Sequence, residues 1–259
     1  MIRLRQLFLM IALFPVSMMA QEEDAADFTS DLFGGITSTD VLPVGRLQWE
    51  TYALYEHTTM DGMDYKTWCP NSSMLRYGLY KNVELFATGT WMHLRVDGES
   101  YSGFSDLAVG VKTRIFQGWK AVPSVALRGF LYFPGSENSD FLPRHFAYQL
   151  DLLFCNPLTS WCELGYMGSV IWDDNPSPTY FWGANLNFLL SDKITLTVEE
   201  SNYYCDYEPE DKFEPWGSLT LTYRLHPRVE LGLATDINLR HPNDFRNVAL
   251  GVTWQLTKK

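Results

Sequence analysis

YGLYKNVEL, residues 77–85, is the stretch on which the reading of the whole chain turns. Tyr77 and Leu79 sit two apart on one arm, Lys81-Asn82 breaks the run, and Val83 and Leu85 flank Glu84 on the other arm. Alternation at period two marks a strand with two unlike faces, and a short polar pair between two such arms reverses the chain. The pattern returns at 223–231 as YRLHPRVEL and more loosely at 188–196 as FLLSDKITL. In these copies Tyr223 and Leu225, or Phe188 and Leu190, build the first arm, while Glu230 or Thr195 takes the place of Glu84. One chain therefore repeats one hairpin.

Outward from these hairpins the alternation continues. Strands are predicted at 44–56, 65–78, 83–93, 105–116, 121–133, 144–155, 161–172, 179–190, 194–204, 214–225, 229–238 and 247–256. Most span about 10–12 residues, longer than the usual globular strand and close to the length a tilted strand needs to cross a bilayer. Every second connection is short, around 80–82, 117–120, 156–160, 191–193 and 226–228. The others are predicted as longer, acidic loops at 57–64, 94–104, 134–143 and 205–213, with Asp61, Asp97, Glu137 and Asp206 among their acids. Short turns at one end and long loops at the other describe an all-β, transmembrane, antiparallel up-and-down β-barrel of about 12 strands. A soluble sandwich has no reason to alternate its connections this way.

The start stands apart. Residues 1–20 carry Arg3 and Arg5, an apolar run from Leu7 to Met19, and Ala20, which together read as a cleaved signal peptide. Residues 21–43 open with QEEDAADFTSDLFGG and are predicted to be a periplasmic N-terminal segment, either a solvated tail or a partial plug, ahead of a barrel at 44–259. The chain has a net charge of −11, more negative still once Arg3 and Arg5 leave with the leader, and this argues against nucleic acid as a partner. Beyond residue 20 there is neither a helical apolar period nor an apolar run long enough to span a membrane as a helix.

A one-sided apolar strand points that face inward in a soluble barrel and outward in a membrane barrel. The opposite faces here carry ions and small residues together, which suits a crowded polar lumen. Val248, Leu250, Val252, Trp254 and Leu256 are predicted to face lipid, as are Leu150 and Leu152. The lumen, and with it any solute path, is predicted to hold Arg46, Glu50, Arg76, Glu84, Lys112 and Arg114 from the first strands. Arg128, Asp151, Glu163, Asn185, Asn187, Glu199, Arg224 and Glu230 complete it. Aromatic girdles are expected at both ends: Tyr80, Trp119, Trp161 and Trp254 near the short turns, and Tyr55, Trp91, Tyr132, Trp172, Tyr180 and Tyr203 near the loops. The terminal strand, with Gly251, Trp254 and Leu256, has the glycine and alternate hydrophobics of a signal read by barrel-assembly machinery, although Thr257, Lys258 and Lys259 follow in place of a terminal aromatic.

Chemistry is sparse. None of His57, His93, His145, His226 and His241 is followed by the Ser-Asn of a barrel phospholipase, and neither G-x-S-x-G nor H-E-x-x-H occurs. No enzyme, cofactor or metal site is expected, and Asp173-Asp174 reads as a solvated acidic pair. Four cysteines in an exported chain invite disulfides. Cys155 and Cys162 flank a turn but lie on opposite strand faces unless a bulge intervenes, and Cys69 and Cys205 are far apart in strand order, so free thiols stand beside bridges as a reading.

Three stretches, VLPVGRLQWET (41–51), MLRYGLYKNVELF (74–86) and GFSDLAVGVKTRIF (103–116), resemble a bacterial outer-membrane family associated with transport in the phenol meta-degradation pathway. The resemblance covers about the first third of the chain; TSTDVLP stands where that family carries an acidic Asp-Arg-Pro run. It implies a barrel of about twelve strands passing small molecules, aromatic acids among them. The expectation is a porin-like transporter or channel for small, aromatic or acidic solutes in the bacterial outer membrane, with lipid, solute and assembly machinery as partners. Its alternative is a closed structural or surface-interaction barrel with acidic extracellular loops.

Overall fold

A computed structural model of the 259-residue chain describes residues 29–31, 33–60, 62–119, 121–135, 139, 141–206 and 212–257. The leader expected at 1–20, and residues 21–28 of the segment after it, lie outside the described residues. The strands are β1 (Leu47–Met60), β2 (Met63–Tyr80), β3 (Val83–Val96), β4 (Glu99–Phe116), β5 (Ser124–Tyr132) and β6 (Ala147–Pro157), followed by β7 (Cys162–Trp172), β8 (Thr179–Ser191), β9 (Ile194–Cys205), β10 (Phe213–His226), β11 (Val229–Asn238) and β12 (Phe245–Gln255). Each pairs antiparallel with its neighbours in sequence, and β12 returns to β1 with Trp254 opposite Trp49 and Leu250 opposite Ala53. The sheet is a closed twelve-stranded barrel with no unpaired edge. Among the described residues there is no helix.

YGLYKNVEL forms the β2–β3 hairpin, with Asn82 at φ 66° reversing the chain. Its two cousins form β10–β11 and β8–β9. The connections predicted to be short lie at one end of the barrel, here the turn end, and the remaining connections at the loop end. Two loop-end connections differ from expectation. Instead of loops at 57–64 and 94–104, β1 and β2 run to Met60 and Met63, and β3 and β4 continue until Val96 faces Glu99. Asp97 and Gly98, at φ 47° and 99°, make the two-residue turn that lets those strands continue. Above the apolar band both faces of a strand meet water, so 94–104 carries no alternation to read.

The outer surface is a continuous apolar wall. Val109, Leu152, Leu233 and Leu250 are 42%, 41%, 45% and 54% exposed, far beyond what a soluble barrel leaves to water. The interior is charged and packed: Arg76 and Lys112 rank among the largest fully buried side chains. Tyr132 and Tyr203 belong to this interior and not to a girdle. Tyr132 stacks on Phe130 and donates to Gln149 Oε1 at 2.7 Å, while Tyr203 lies 4.8 Å from the Phe181 ring. Each shares parity with an inner charge, Arg128 or Glu199, which outweighs its aromatic character. Cys69, Cys155, Cys162 and Cys205 are all free. Cys155 faces Gly165 across the ladder and Cys162 faces Phe188, so the turn between them does not oppose their sulfurs.

Candidate functional site

The site is the barrel interior, built in its turn half around Arg76. Cross-strand register sets Arg76 beside Gln48 and Phe86, and Glu84 beside Lys112, so charges from β1 to β4 converge. The Arg76 guanidinium donates to Glu50 Oε1 at 2.7 Å and forks onto Glu84 at 2.8 and 2.9 Å. It also lies 3.1 Å from Asp31 Oδ2, to which Lys112 Nζ donates at 2.8 Å. Three carboxylates thus enclose two cations. Buried charge is tolerated only when paired and hydrogen-bonded in this way. Burial raises the Asp31 carboxyl, but Arg76 and then Lys112 outweigh it and hold its pKa at about 2, below the ordinary 3.8.

A second cluster pairs Arg128 of β5 with its register partner Asp151 of β6, Nε to Oδ2 at 2.6 Å. Ser169 and Gln149 donate to the other Asp151 oxygen at 2.5 and 2.8 Å. Arg128 Nη1 reaches Thr37 Oγ1 at 2.6 Å.

Asp31 and Thr37 do not belong to strands. They lie on residues 29–31 and 33–46, which run through the turn half of the barrel. The Leu42 N–H donates to Glu84 Oε2 at 2.8 Å, and the Asp31 N–H to Glu50 Oε2 at 3.1 Å. Gly34, at φ 86°, turns the chain so that the successive N–H groups of Gly35 and Ile36 both meet the Glu199 carboxylate, at 2.7 and 3.1 Å. Two adjacent amides converging on one carboxylate form an anion nest. Ile36 then closes an apolar cluster with Ala126, Leu153, Met167 and Phe181.

Bare wall positions make room for this segment. A Cβ on Gly78 would fall 2.0 Å from the Pro43 carbonyl oxygen, and one on Gly232 would fall 2.0 Å from the Phe33 ring. Gly232 faces Gly251 across the ladder, so Phe33 rests on two residues without side chains. The glycine of the opening stretch is therefore where the segment crosses the wall.

Among the residues expected in the lumen, Arg46, Glu50, Arg76, Glu84, Lys112, Arg128, Asp151, Asn185 and Glu199 are buried. Arg114, Glu163, Asn187, Arg224 and Glu230 are half-buried and lie towards the turn end. They form separate groups and no single ring. Arg46 donates to the Thr257 carbonyl, and Arg114 bridges Asp40 and Asn82. Asn187 links Asn185 to Thr197, Arg224 stands opposite Glu230, and Glu163 stands between Pro157 and Asn187 in the ladder. At the loop end Asp173 and Asp174 diverge: Asp173 accepts from Asn175, while Asp174 accepts from the Arg144 N–H and from His145.

The loop half holds a cavity of about 640 Å³. Its floor is Phe33, Gly34, Gly35 and Glu199, and its walls come from β1 and from β8 to β12. Asp31, Thr37 and the Gly34–Ile36 nest were not expected from the sequence, because a segment without periodicity gives no inward face to read. Glu56 and Asp236 share parity with Glu50 and Glu230, and extending that rule along β1 and β11 finds them.

No protein-family model matches the sequence, and no curated protein shows significant sequence similarity to it. Solved structures do share the fold. An outer membrane channel from Pseudomonas putida F1 superposes with a TM-score of 0.67 at 13% identity, covering 84% of this chain and 98% of that one. The transport unit of the autotransporter AIDA-I from Escherichia coli gives 0.56 at 10% identity over 81% and 90% of the two chains. The KdgM porin, solved in complex with disordered oligogalacturonate, gives 0.54 at 11% identity over 80% and 99%. What the chain shares with these proteins is the closed membrane-type β-barrel.

Proposed function

We propose that the protein is a porin-like channel for small solutes in a bacterial outer membrane, held narrow by its own residues 29–31 and 33–46. One observation carries the reading: an apolar outer wall surrounds a charged interior that is filled in its turn half and hollow in its loop half. The wall suits acyl chains, and a closed barrel leaves no backbone group unpaired in them. A bore of twelve strands falls between small barrels filled by wall side chains and wide porins, so an additional segment can set its width. The interior charges expected along the solute path would then act first as the seat of that segment. The similarity to an outer membrane channel and to a porin supports the same function, and β12 with the residue after it would offer Trp254 and Leu256 to the assembly machinery.

Planar-bilayer recording tests this. The full chain is expected to give small, mostly closed conductance steps. Asp31→Asn takes from Lys112 the carboxylate it contacts, and from the segment its ionic tie to Arg76, and should raise the open conductance or its duration severalfold. A silent bilayer for both proteins, with normal heat-modifiable gel mobility, would instead make the barrel a sealed structural body.

A further inference from the structure

We propose that the loop-half cavity is a binding site for a small organic cation, an ammonium group carried on an apolar body. Glu56, Asp236 and Glu199 stand at one level because the register puts them there, and Glu214, opposite Tyr203, lies nearer the rim. Glu56 of β1 faces Asn247 of β12, and Asn247 exchanges two hydrogen bonds with Asp236 of β11 at 2.5 and 2.6 Å. Ser218 continues the belt, opposite Asp236 on one side and Glu199 on the other.

The charge of this belt is not balanced from within. Glu199 is engaged by the Gly35 and Ile36 amides. Lys212, the basic residue at the rim, gives its ammonium to Asp206 at 2.6 Å. Among the described residues Glu56 and Asp236 have no cationic side chain in contact, and Asn247 offers Asp236 a single amide proton and Glu56 none. Carboxylates facing a walled cavity, where solvent screens them poorly, favour a cation that enters.

The walls between the acids are aromatic. Trp216 and Phe245 meet edge to face at 4.5 Å, and Phe181 and Tyr203 pack at 4.8 Å. Such rings cover an apolar body and attract an ammonium through their faces. A volume of about 640 Å³ suits a small molecule. A bare metal ion is disfavoured, because among the described residues no three metal-ligating side chains converge.

Access from the loop end rests on the barrel being a membrane channel; binding itself does not, and the test separates the two. The full chain in detergent is titrated calorimetrically with benzylammonium, benzyl alcohol and benzoate, which share a ring and differ in charge. Benzylammonium should bind one saturable site, at least tenfold more tightly than the other two. Glu56→Gln and Asp236→Asn should each weaken it by about tenfold, about 1.4 kcal/mol, with gel mobility unchanged. Benzoate or benzyl alcohol binding as well as the amine, no saturable heat with any probe, or wild-type affinity in both variants would overturn the assignment. The wild-type comparison needs no variant to fold. A protein that conducts but does not bind benzylammonium loses this site alone, and one that binds but never conducts loses the channel instead.

Discussion

Asp31 shows how much of the docking of the N-terminal segment rests on one side chain. It is the carboxylate on the N-terminal segment that both Arg76 and Lys112 touch, and its side chain is 2% exposed. A carboxyl held at about 2 and released at 3.8 stabilises the docked state fully above the released value, and that contribution fades as pH falls through the lower one. The difference amounts to about 2 kcal/mol. Lowering the pH from 5 to about 2 should therefore open the wild-type channel progressively. Asp31→Asn has lost the group that titrates and should respond much less over that range. Conductance recorded at matched ionic strength compares the two, and equal acid responses would assign the effect to the wall carboxylates instead.

Strands record their surroundings in sequence only where the two faces meet different media. This is why β5 to β12 match the predicted segments closely while β1, β3 and β4 run past theirs at the loop end. Within the apolar band, Leu152 faces out at 41% exposure and Leu153, the next residue, is fully buried beside Ile36. The alternation made the outward set legible. It could not show that the inner face of β5 to β8 carries an apolar patch, because the partner of that patch is a segment without a period. The cavity was hidden for a similar reason: its acids and rings come from β1 and β8 to β12 and meet only once the barrel closes. Leu152→Arg should cost about 2–4 kcal/mol, as a cation at mid-depth on the lipid face does, while Leu239→Arg, beyond the end of β11, should cost about 0–1 kcal/mol. Reversible urea unfolding from lipid vesicles measures both, and equal costs would mean that the wall at Leu152 does not face acyl chains.

At the scale of the molecule the question is which ions the bore prefers. The chain carries 31 Asp+Glu against 20 Lys+Arg. The interior arranges this excess unevenly. In the turn half, Arg76, Lys112 and Arg128 are matched by carboxylates in direct contact, so little net field remains there. In the loop half, Glu56 and Asp236 line a wide cavity without such partners, and the rim lysine is already paired. A solute arriving from the loop end therefore meets negative potential before it meets the narrow, balanced half. The open channel should pass K⁺ in preference to Cl⁻ severalfold, seen as a reversal potential towards the K⁺ equilibrium value in a KCl gradient. Fields from these carboxylates reach about 10 Å at 0.1 M salt but only about 3 Å at 1 M. The preference should accordingly shrink in concentrated salt and in a Glu56→Gln, Asp236→Asn double variant. Lys112 lies in the balanced half and Arg114 beside Asp40, so neutralising Arg114 should shift the reversal potential far less than losing the two loop-half acids. Anion preference, or a selectivity indifferent to salt, would place the controlling charges in the turn half and remove the loop-half cavity from the conduction path.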